Sequence, residues 1–215
     1  MIAALDMAET TDLSPRAILP LRISEAPQHP TTVRITHWIN VLSFVGLVIS
    51  GIAILLAHPR LYWGETGSVG TPSLIDLPLP FVLTGQTGWG RSLHFVAAWV
   101  CVSNGSIYGI TGLRTGHFWK GFIDYNVLQR PAYLTVVFVL FPIMIGTGLA
   151  MSPAVVSVFP ELATMLGGQQ SARTIHFFAA TVLVTFLAVH VAMVWRAGFV
   201  ARTWAMIAGP GKRHV

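Results

Sequence analysis

Charged side chains are scarce in this chain. Lys, Arg, Asp and Glu make up 10% of the 215 residues, and 53% are hydrophobic. A soluble domain usually carries about 25% charged residues, so the scarcity excludes an ordinary soluble domain and favours a membrane protein. Cysteine is almost absent as well. With Cys101 alone, the chain cannot form an internal disulfide, and the redox compartment cannot be inferred from cysteine.

Four long stretches contain no Asp, Glu, Lys or Arg at all, and each has 20 or more residues. About 20 apolar residues suffice to cross the hydrocarbon core of a bilayer. We therefore predict an all-α protein, a transmembrane four-helix bundle. The four predicted spans are Ile35–Ala57, Ser92–Leu113, Ala132–Met151 and Thr174–Trp195.

Lysine and arginine are distributed unevenly around these spans. If the N-terminus is cytoplasmic, ten of them fall on cytoplasmic segments, and only Arg60, Arg91 and Arg173 fall outside. This bias predicts that both termini are cytoplasmic. The net charge of +5 then reflects membrane topology. Nucleic-acid binding is disfavoured, because the basic residues flank membrane helices instead of forming one stripe.

The segments outside the spans divide the chain into three parts. Residues 1–30 have four acids, several prolines and no apolar core of a signal peptide, and we expect a disordered cytoplasmic tail. Residues 31–200 form the transmembrane domain, and 201–215 form a basic cytoplasmic tail. The partly amphipathic sequence after Trp195 is expected to lie along the inner membrane surface. The proline-rich loop His58–Arg91 is expected to be irregular, with a short interfacial piece at "LPLPFVL".

Four of the eight histidines lie inside the apolar spans, where an ionisable residue indicates a functional site. His94 and His176 each lie three residues into a span that starts outside. His37 lies three residues into the first span, and His190 lies near the cytoplasmic end of the fourth. Depth therefore predicts an outer pair, His94 with His176, and an inner pair, His37 with His190.

His176 and His190 are 14 residues apart, which is just under four helical turns and about 21 Å along the axis. One helix face thus offers an imidazole to each of two stacked sites. Zinc prefers three or four clustered ligands, whereas two histidines on facing helices suit haem iron held between two imidazoles. The absence of C-x-x-C-H predicts non-covalent, b-type haem. The alternative is that each histidine only hydrogen-bonds a neighbouring helix.

An arginine precedes three of these histidines by three residues, in "RITH", "RSLH" and "RTIH". Residues at i and i+3 share a helix face, so each arginine would lie one turn nearer to water, where haem propionates would emerge. This predicts cofactor contacts for Arg34, Arg91 and Arg173. The alternative is that the arginines simply flank the spans and extend to water, and topology alone explains Arg34.

Several other residues have expected roles in packing or at the membrane interface. Small residues in the spans favour close helix packing, although some could make room for a porphyrin: Gly46, Ser50, Gly51, Gly105, Gly109, Gly146 and Gly148. The third span has no histidine and is expected to close the bundle, with a kink at Pro142. His58 and His117 are expected at the interface, with a quinone-site role as an alternative for His117. His29 and His214 are expected to be solvated.

Three segments carry a resemblance to a known family: "VRITHWINVLSFVGLVISG", "GRSLHFVAAW" and "RTIHFFAATVLVTFLAVHV". They resemble the bacterial cytochrome b561 / nickel–iron hydrogenase cytochrome b superfamily, which includes membrane subunits of formate dehydrogenases. The resemblance covers about residues 30–200. It implies a bacterial inner-membrane protein with two b haems, ligated by the outer and inner histidine pairs, that passes electrons between a redox partner and the quinone pool. The implied partner is a periplasmic molybdenum enzyme, a hydrogenase or a soluble cytochrome c.

Three functions remain open from the sequence. The favoured one is an electron-transfer subunit of a respiratory oxidoreductase. A second is a stand-alone oxidoreductase that reduces quinone, similar to superoxide-oxidising members of this superfamily. The third is a haem-free transporter or membrane anchor with buried histidines, which would show no Soret absorption.

Overall fold

The computed structural model describes residues 30–67, 70–79, 87–114 and 129–209. These residues are mainly helical, with one short hairpin. The elements in chain order are α1 (Thr31–Ala57), β1 (Arg60–Leu61), β2 (Ile75–Asp76), α2 (Thr87–Arg114), α3 (Gln129–Thr135), a π-helical segment (Val136–Leu140), α4 (Phe141–Ala150), α5 (Pro153–Val156), α6 (Glu161–Met165), α7 (Gln169–Arg196) and α8 (Phe199–Ala208).

Among the described residues, three helices are long and apolar enough to cross a membrane: α1, α2 and α7. They contain the predicted spans Ile35–Ala57, Ser92–Leu113 and Thr174–Trp195. The remaining predicted span, Ala132–Met151, falls on α3, the π-helical segment and α4, which follow one another without a break up to Ala150. The prediction of four spans is therefore confirmed for three helices, and the fourth crossing stays a prediction.

A π-helical segment lies just before Pro142, where the sequence predicts a kink. Proline has no backbone N–H and its ring collides with the carbonyl group four residues earlier. In the π-helical segment the N–H of Phe141 instead donates to the carbonyl of Val136, five residues back. A π-helical turn, whose hydrogen bonds span five residues instead of four, is one of the identified causes of a kink in a helix, and so is proline.

The long helices pack as two pairs. α1 lies against α2, and α4 lies against α7, while close backbone approaches between the two pairs are few. Buried polar groups join α1 and α2: the Asn104 amide donates to the Thr36 carbonyl and to Asn40 Oδ1, both at 2.8 Å. Hydrogen bonds between helices of this kind are typical within membranes, where water is absent.

The outer loop is more ordered than the sequence predicts. Arg60 and Leu61 pair in antiparallel fashion with Asp76 and Ile75, and the Arg60 Nε–Asp76 Oδ2 ion pair of 3.1 Å lies across this hairpin. Our expectation of an irregular loop was thus wrong for these residues. Of the "LPLPFVL" piece, only residues 77–79 lie in the described part of the chain, and they have no regular structure.

The sequence after Trp195 contains a further helix, α8, which begins before the predicted tail boundary at 201 and extends to Ala208. Its C-terminal carbonyl groups are bound by α1. Trp38 Nε1 donates to the Met206 carbonyl at 3.1 Å, and Arg34 Nη2 donates to the Ile207 carbonyl at 2.5 Å. Bonds to these carbonyls satisfy acceptors that a helix end leaves open. Residues 1–29 of the predicted tail 1–30 lie outside the described part of the chain, as do the loop 115–128 with His117 and residues 210–215 with His214.

Candidate functional site

The structure brings His94 and His176 together, as the depth argument predicts. His94 belongs to α2 and His176 to α7, so the two rings face each other across the boundary between the helix pairs. Their centroids are 6.2 Å apart and the ring planes make an angle of 60°. Both side chains are half-buried.

A hydroxyl group on the neighbouring helix contacts each of these rings. Ser50 Oγ of α1 is 2.9 Å from His94 Nδ1. Thr147 Oγ1 of α4 is 2.8 Å from His176 Nδ1. Ser50 and Thr147 are 0% and 1% exposed, so each hydroxyl lies in the helix–helix contact of its own pair. Each outer histidine is thus oriented by a second helix.

The glycine that follows each hydroxyl residue is also adjacent to the imidazole. A Cβ atom on Gly51 would lie 3.7 Å from His94 Cε1, and one on Gly148 would lie 3.7 Å from His176 Cε1. Sequence reasoning identified both glycines as small packing residues. The contact with the histidines could not be inferred, because spacing alone does not show which helix a glycine faces.

The inner histidines lie on the helices that the sequence predicts. His37 lies on α1, half-buried, beside the ring of Trp38. His190 lies on α7, is exposed, and stacks with Phe186 one turn earlier, with ring centroids 6.4 Å apart. Pairing of His37 with His190 therefore stays a prediction.

The three arginines differ in their surroundings. The Arg34 guanidinium binds carbonyl groups at the end of α8. Arg173 is half-buried, and its Nη2 donates to the His58 carbonyl. Arg91 is exposed. A role for any of them in binding propionate groups stays a prediction.

The outer loop docks on the first turn of α7, close in sequence to His176. The backbone amides of Gln170 and Ser171 donate to the Gly64 carbonyl at 3.0 and 3.3 Å. In return, Ser171 Oγ accepts from the Gly64 amide at 2.8 Å. Thr174 Oγ1 donates to the Tyr62 carbonyl at 2.7 Å. We name residues 58–64 the outer strap. No pattern in the sequence predicts this strap, since short polar residues in a first helical turn usually face solvent or cap the helix.

Charge and burial act together at the start of the outer strap. Partial burial, and then the positive charges of Arg173 and Arg91, lower the pKa of His58 below its ordinary value. His58 is therefore neutral at neutral pH. Its backbone amide is also fixed, because it donates to the carbonyls of Ile54 and Leu55 at the end of α1.

The outer pair fits a metal held between two imidazoles. With metal–nitrogen bonds of about 2 Å, an ion bound on both sides by histidine separates the ring centres by about 6 Å, as observed here. Within the described ranges, no group of three or more His, Cys, Asp or Glu residues could hold a metal ion. A site with only two protein ligands on facing helices suits haem, whose porphyrin supplies the other ligands.

Comparison with known proteins agrees with this geometry. The model of the prokaryotic cytochrome b561 family matches residues 28–209. The chain belongs to the prokaryotic cytochrome b561 family. It is thus a membrane haem protein of the cytochrome b561 type, and the family implies b-type haem.

A curated relative is also similar over most of its length. It is a protein of Azospira oryzae whose name describes it as a protein-methionine-sulfoxide reductase subunit, YedZ1. The two sequences are 34% identical over 207 residues, which cover 84% of this chain and 96% of that protein. No solved structure gave a significant match.

Proposed function

We propose that this chain is the membrane electron-transfer subunit of a two-part oxidoreductase in the bacterial inner membrane. It would hold two b haems, one between His94 and His176 and one between His37 and His190. It would pass electrons between the quinone pool and a partner on the outer side, with both of its termini in the cytoplasm.

The single observation that carries the proposal is the opposition of His94 and His176 between two helix pairs whose backbones approach each other closely at few places. A transporter or an anchor has no need for two half-buried imidazoles at metal-bridging distance. The bound haems would supply one-electron carriers, and the second site about 21 Å further along α7 would shorten each transfer across the bilayer. The chain's own part is to orient the four imidazoles and to keep water out.

The partner that the comparisons favour is a reductase for methionine sulfoxide in proteins, since the similar Azospira protein bears the name of such a subunit. Among the partners predicted from sequence, this favours an electron-consuming outer enzyme over a hydrogenase. Reduction of a sulfoxide to a thioether takes two electrons and two protons and releases water. Oxidation of one quinol to quinone supplies both electrons and releases two protons.

The outer strap offers a place for this partner beside the outer site. Two large side chains at this end of the molecule are exposed, Trp63 in the strap and Trp89 in the first turn of α2. The described part of the chain has only a two-stranded hairpin beyond its helices. Exposed aromatic residues of this kind are enriched in contacts between proteins.

The experiment is reduction of the purified protein by a quinol analogue, followed in the Soret and α bands. We expect full reduction by quinol and reoxidation when a co-expressed outer reductase and methionine sulfoxide are added. Absence of any Soret band would contradict the proposal and favour a transporter or anchor. Oxidation of superoxide by the purified subunit alone, without a partner, would favour the stand-alone enzyme.

A further inference from the structure

We propose that Ser50 and Thr147 are positioning residues that accept a hydrogen bond from Nδ1–H of His94 and His176, so that both imidazoles present Nε2 to the metal. The inference rests on the proposed haem at the outer site. It adds which nitrogen of each ring binds the metal, and which side-chain oxygen accepts the proton of the other nitrogen.

Each of the two hydroxyl groups has a second, shorter contact. Ser50 Oγ lies 2.6 Å from the Gly46 carbonyl oxygen, and Thr147 Oγ1 lies 2.6 Å from the Ile143 carbonyl oxygen. In both cases the carbonyl belongs to the residue four positions earlier on the same helix. Such a bond is the usual one for serine and threonine inside a helix.

The proton count decides the direction of the other bond. A hydroxyl group has one proton to donate and two lone pairs that can accept. An oxygen–oxygen distance of 2.6 Å is that of a hydrogen bond, and a carbonyl oxygen cannot be the donor. The hydroxyl proton therefore lies on the carbonyl side. The contact of 2.9 or 2.8 Å to Nδ1 must then use a proton on the imidazole.

The neutral imidazole carries only one ring proton. If this proton is on Nδ1, Nε2 has its lone pair free, and Nε2 is the atom that binds a metal. The hydrogen bond made by one ring nitrogen commonly fixes which nitrogen is metallated, and it raises the basicity of the ligand. The two hydroxyls thus prepare both rings for the same binding mode.

The same arrangement occurs twice, once in each helix pair. In α1 and α4 alike, the hydroxyl residue is followed by a glycine whose Cβ position lies 3.7 Å from the ring carbon Cε1 of the histidine. The two pairs come from different parts of the chain, so the repetition is independent support. A bond to a carbonyl group is not enough to produce this arrangement. Ser43 of α1 is also buried and bonds the Ile39 carbonyl at 2.7 Å, but no histidine of the described residues is its hydrogen-bond partner.

Removal of either hydroxyl should make the imidazole a weaker electron donor. The oxidised iron is favoured by strong donors, so the midpoint potential of the outer haem should rise. Loss of such a supporting bond typically lowers metal-site affinity by about 10- to 100-fold, so the outer haem should also be lost more easily on dilution.

The test uses the full chain purified with haem. Ser50→Ala and Thr147→Val delete the hydroxyls, Thr147→Ser keeps one, and Ser43→Ala is the matched control. Redox titration and electron paramagnetic resonance give the potential and ligand field of each haem. We expect Ser50→Ala and Thr147→Val to raise the potential of one haem, Thr147→Ser to restore it, and Ser43→Ala to leave both unchanged.

Several results would overturn the inference. If the deletion variants have wild-type potentials, spectra and haem retention, the hydroxyls do not position the rings. If Thr147→Ser is altered as much as Thr147→Val, the effect comes from packing and not from the hydroxyl. A wild-type protein without haem would defeat the proposed function together with this inference, whereas unshifted variants of a haem-loaded protein would defeat this inference alone.

Discussion

The four transmembrane histidines differ in how closely the surrounding protein holds them. His94 and His176 are half-buried, and each ring has a hydroxyl partner from another helix. His190 is exposed and stacks on Phe186 of its own helix. A buried polar group needs a partner far more than an exposed one does. The rings of His94 and His176 have such partners and are therefore oriented by the protein itself.

The first prediction concerns the pairing of the ligands. His94→Ala and His176→Ala should each remove or change the same redox transition, because their rings face each other at 6.2 Å. His37→Ala and His190→Ala should change the other transition. Redox titration of the four single variants tests this. If His94→Ala and His37→Ala altered one and the same transition, the pairing would be wrong.

The second prediction concerns pH and His58. Because its pKa is lowered in the folded protein, the unfolded chain binds the proton more readily, and protonation opposes folding. This destabilisation is absent above the unfolded pKa of about 6.5 and grows as the pH falls below it. The wild-type melting temperature should fall from pH 7 to pH 5, and His58→Gln should reduce that fall. An unchanged slope in His58→Gln would contradict the assignment.

At the scale of residues, the sequence predicted the approach of His94 to His176 better than it predicted the groups that orient the two rings. Depth within the spans was enough to pair His94 with His176. Nothing in the sequence distinguished Ser50 from Ser43, because both can satisfy themselves on a carbonyl four residues back. Only the way the helices are rotated about their axes shows which hydroxyl faces a histidine.

Among the structural elements, the outer strap is the one whose contacts differ most from the prediction made from the sequence. It ties the end of α1 to the start of α7 through backbone bonds to Gly64 and through the buried Thr174 hydroxyl. Such bonds join residues more than 100 positions apart, and local sequence patterns do not report them. The helices themselves were predictable because 20 or more uncharged residues allow little else in a bilayer.

The third prediction tests the docking of the outer strap. Gly168 has φ +109°, and a Cβ there would collide with the Gly64 carbonyl oxygen. Gly168→Ala should therefore loosen the strap and speed amide exchange at Gly64. Gly70→Ala is the control, since Gly70 has φ +97° but nothing lies within 4 Å of its Cβ position. Equal exchange rates at Gly64 in the two variants would show that the contact does not hold the strap.

The fourth prediction concerns the loop between Gly64 and Pro80. Shortening it there should leave both haem spectra intact, because the four histidines lie on α1, α2 and α7. Electron exchange with the outer partner should slow by about tenfold or more, which corresponds to about 1.4 kcal/mol of docking free energy. Stopped-flow reoxidation by the partner measures this. A wild-type rate in the shortened protein would rule out docking on the loop and leave the haem assignment untouched.

At the scale of the whole molecule, the described residues form two helix pairs with His94 and His176 between them. The sequence predicted the three long apolar helices α1, α2 and α7, but not that α1 pairs with α2 and α4 with α7. The sequence also did not predict that α8 is held by Arg34 and Trp38, since a short amphipathic segment is equally compatible with a tail on the membrane surface. The central claim of this account is the proposal that haem binds between the two pairs, at His94 and His176.

Haem content tests that claim most directly. The pyridine haemochrome assay on the purified chain should give about two b haems per polypeptide, each held by two histidines. The double variant His94→Ala/His176→Ala should retain about one, because the inner pair is untouched. A wild-type value near zero would contradict the account as a whole, and a value near one would remove the site at His37 and His190.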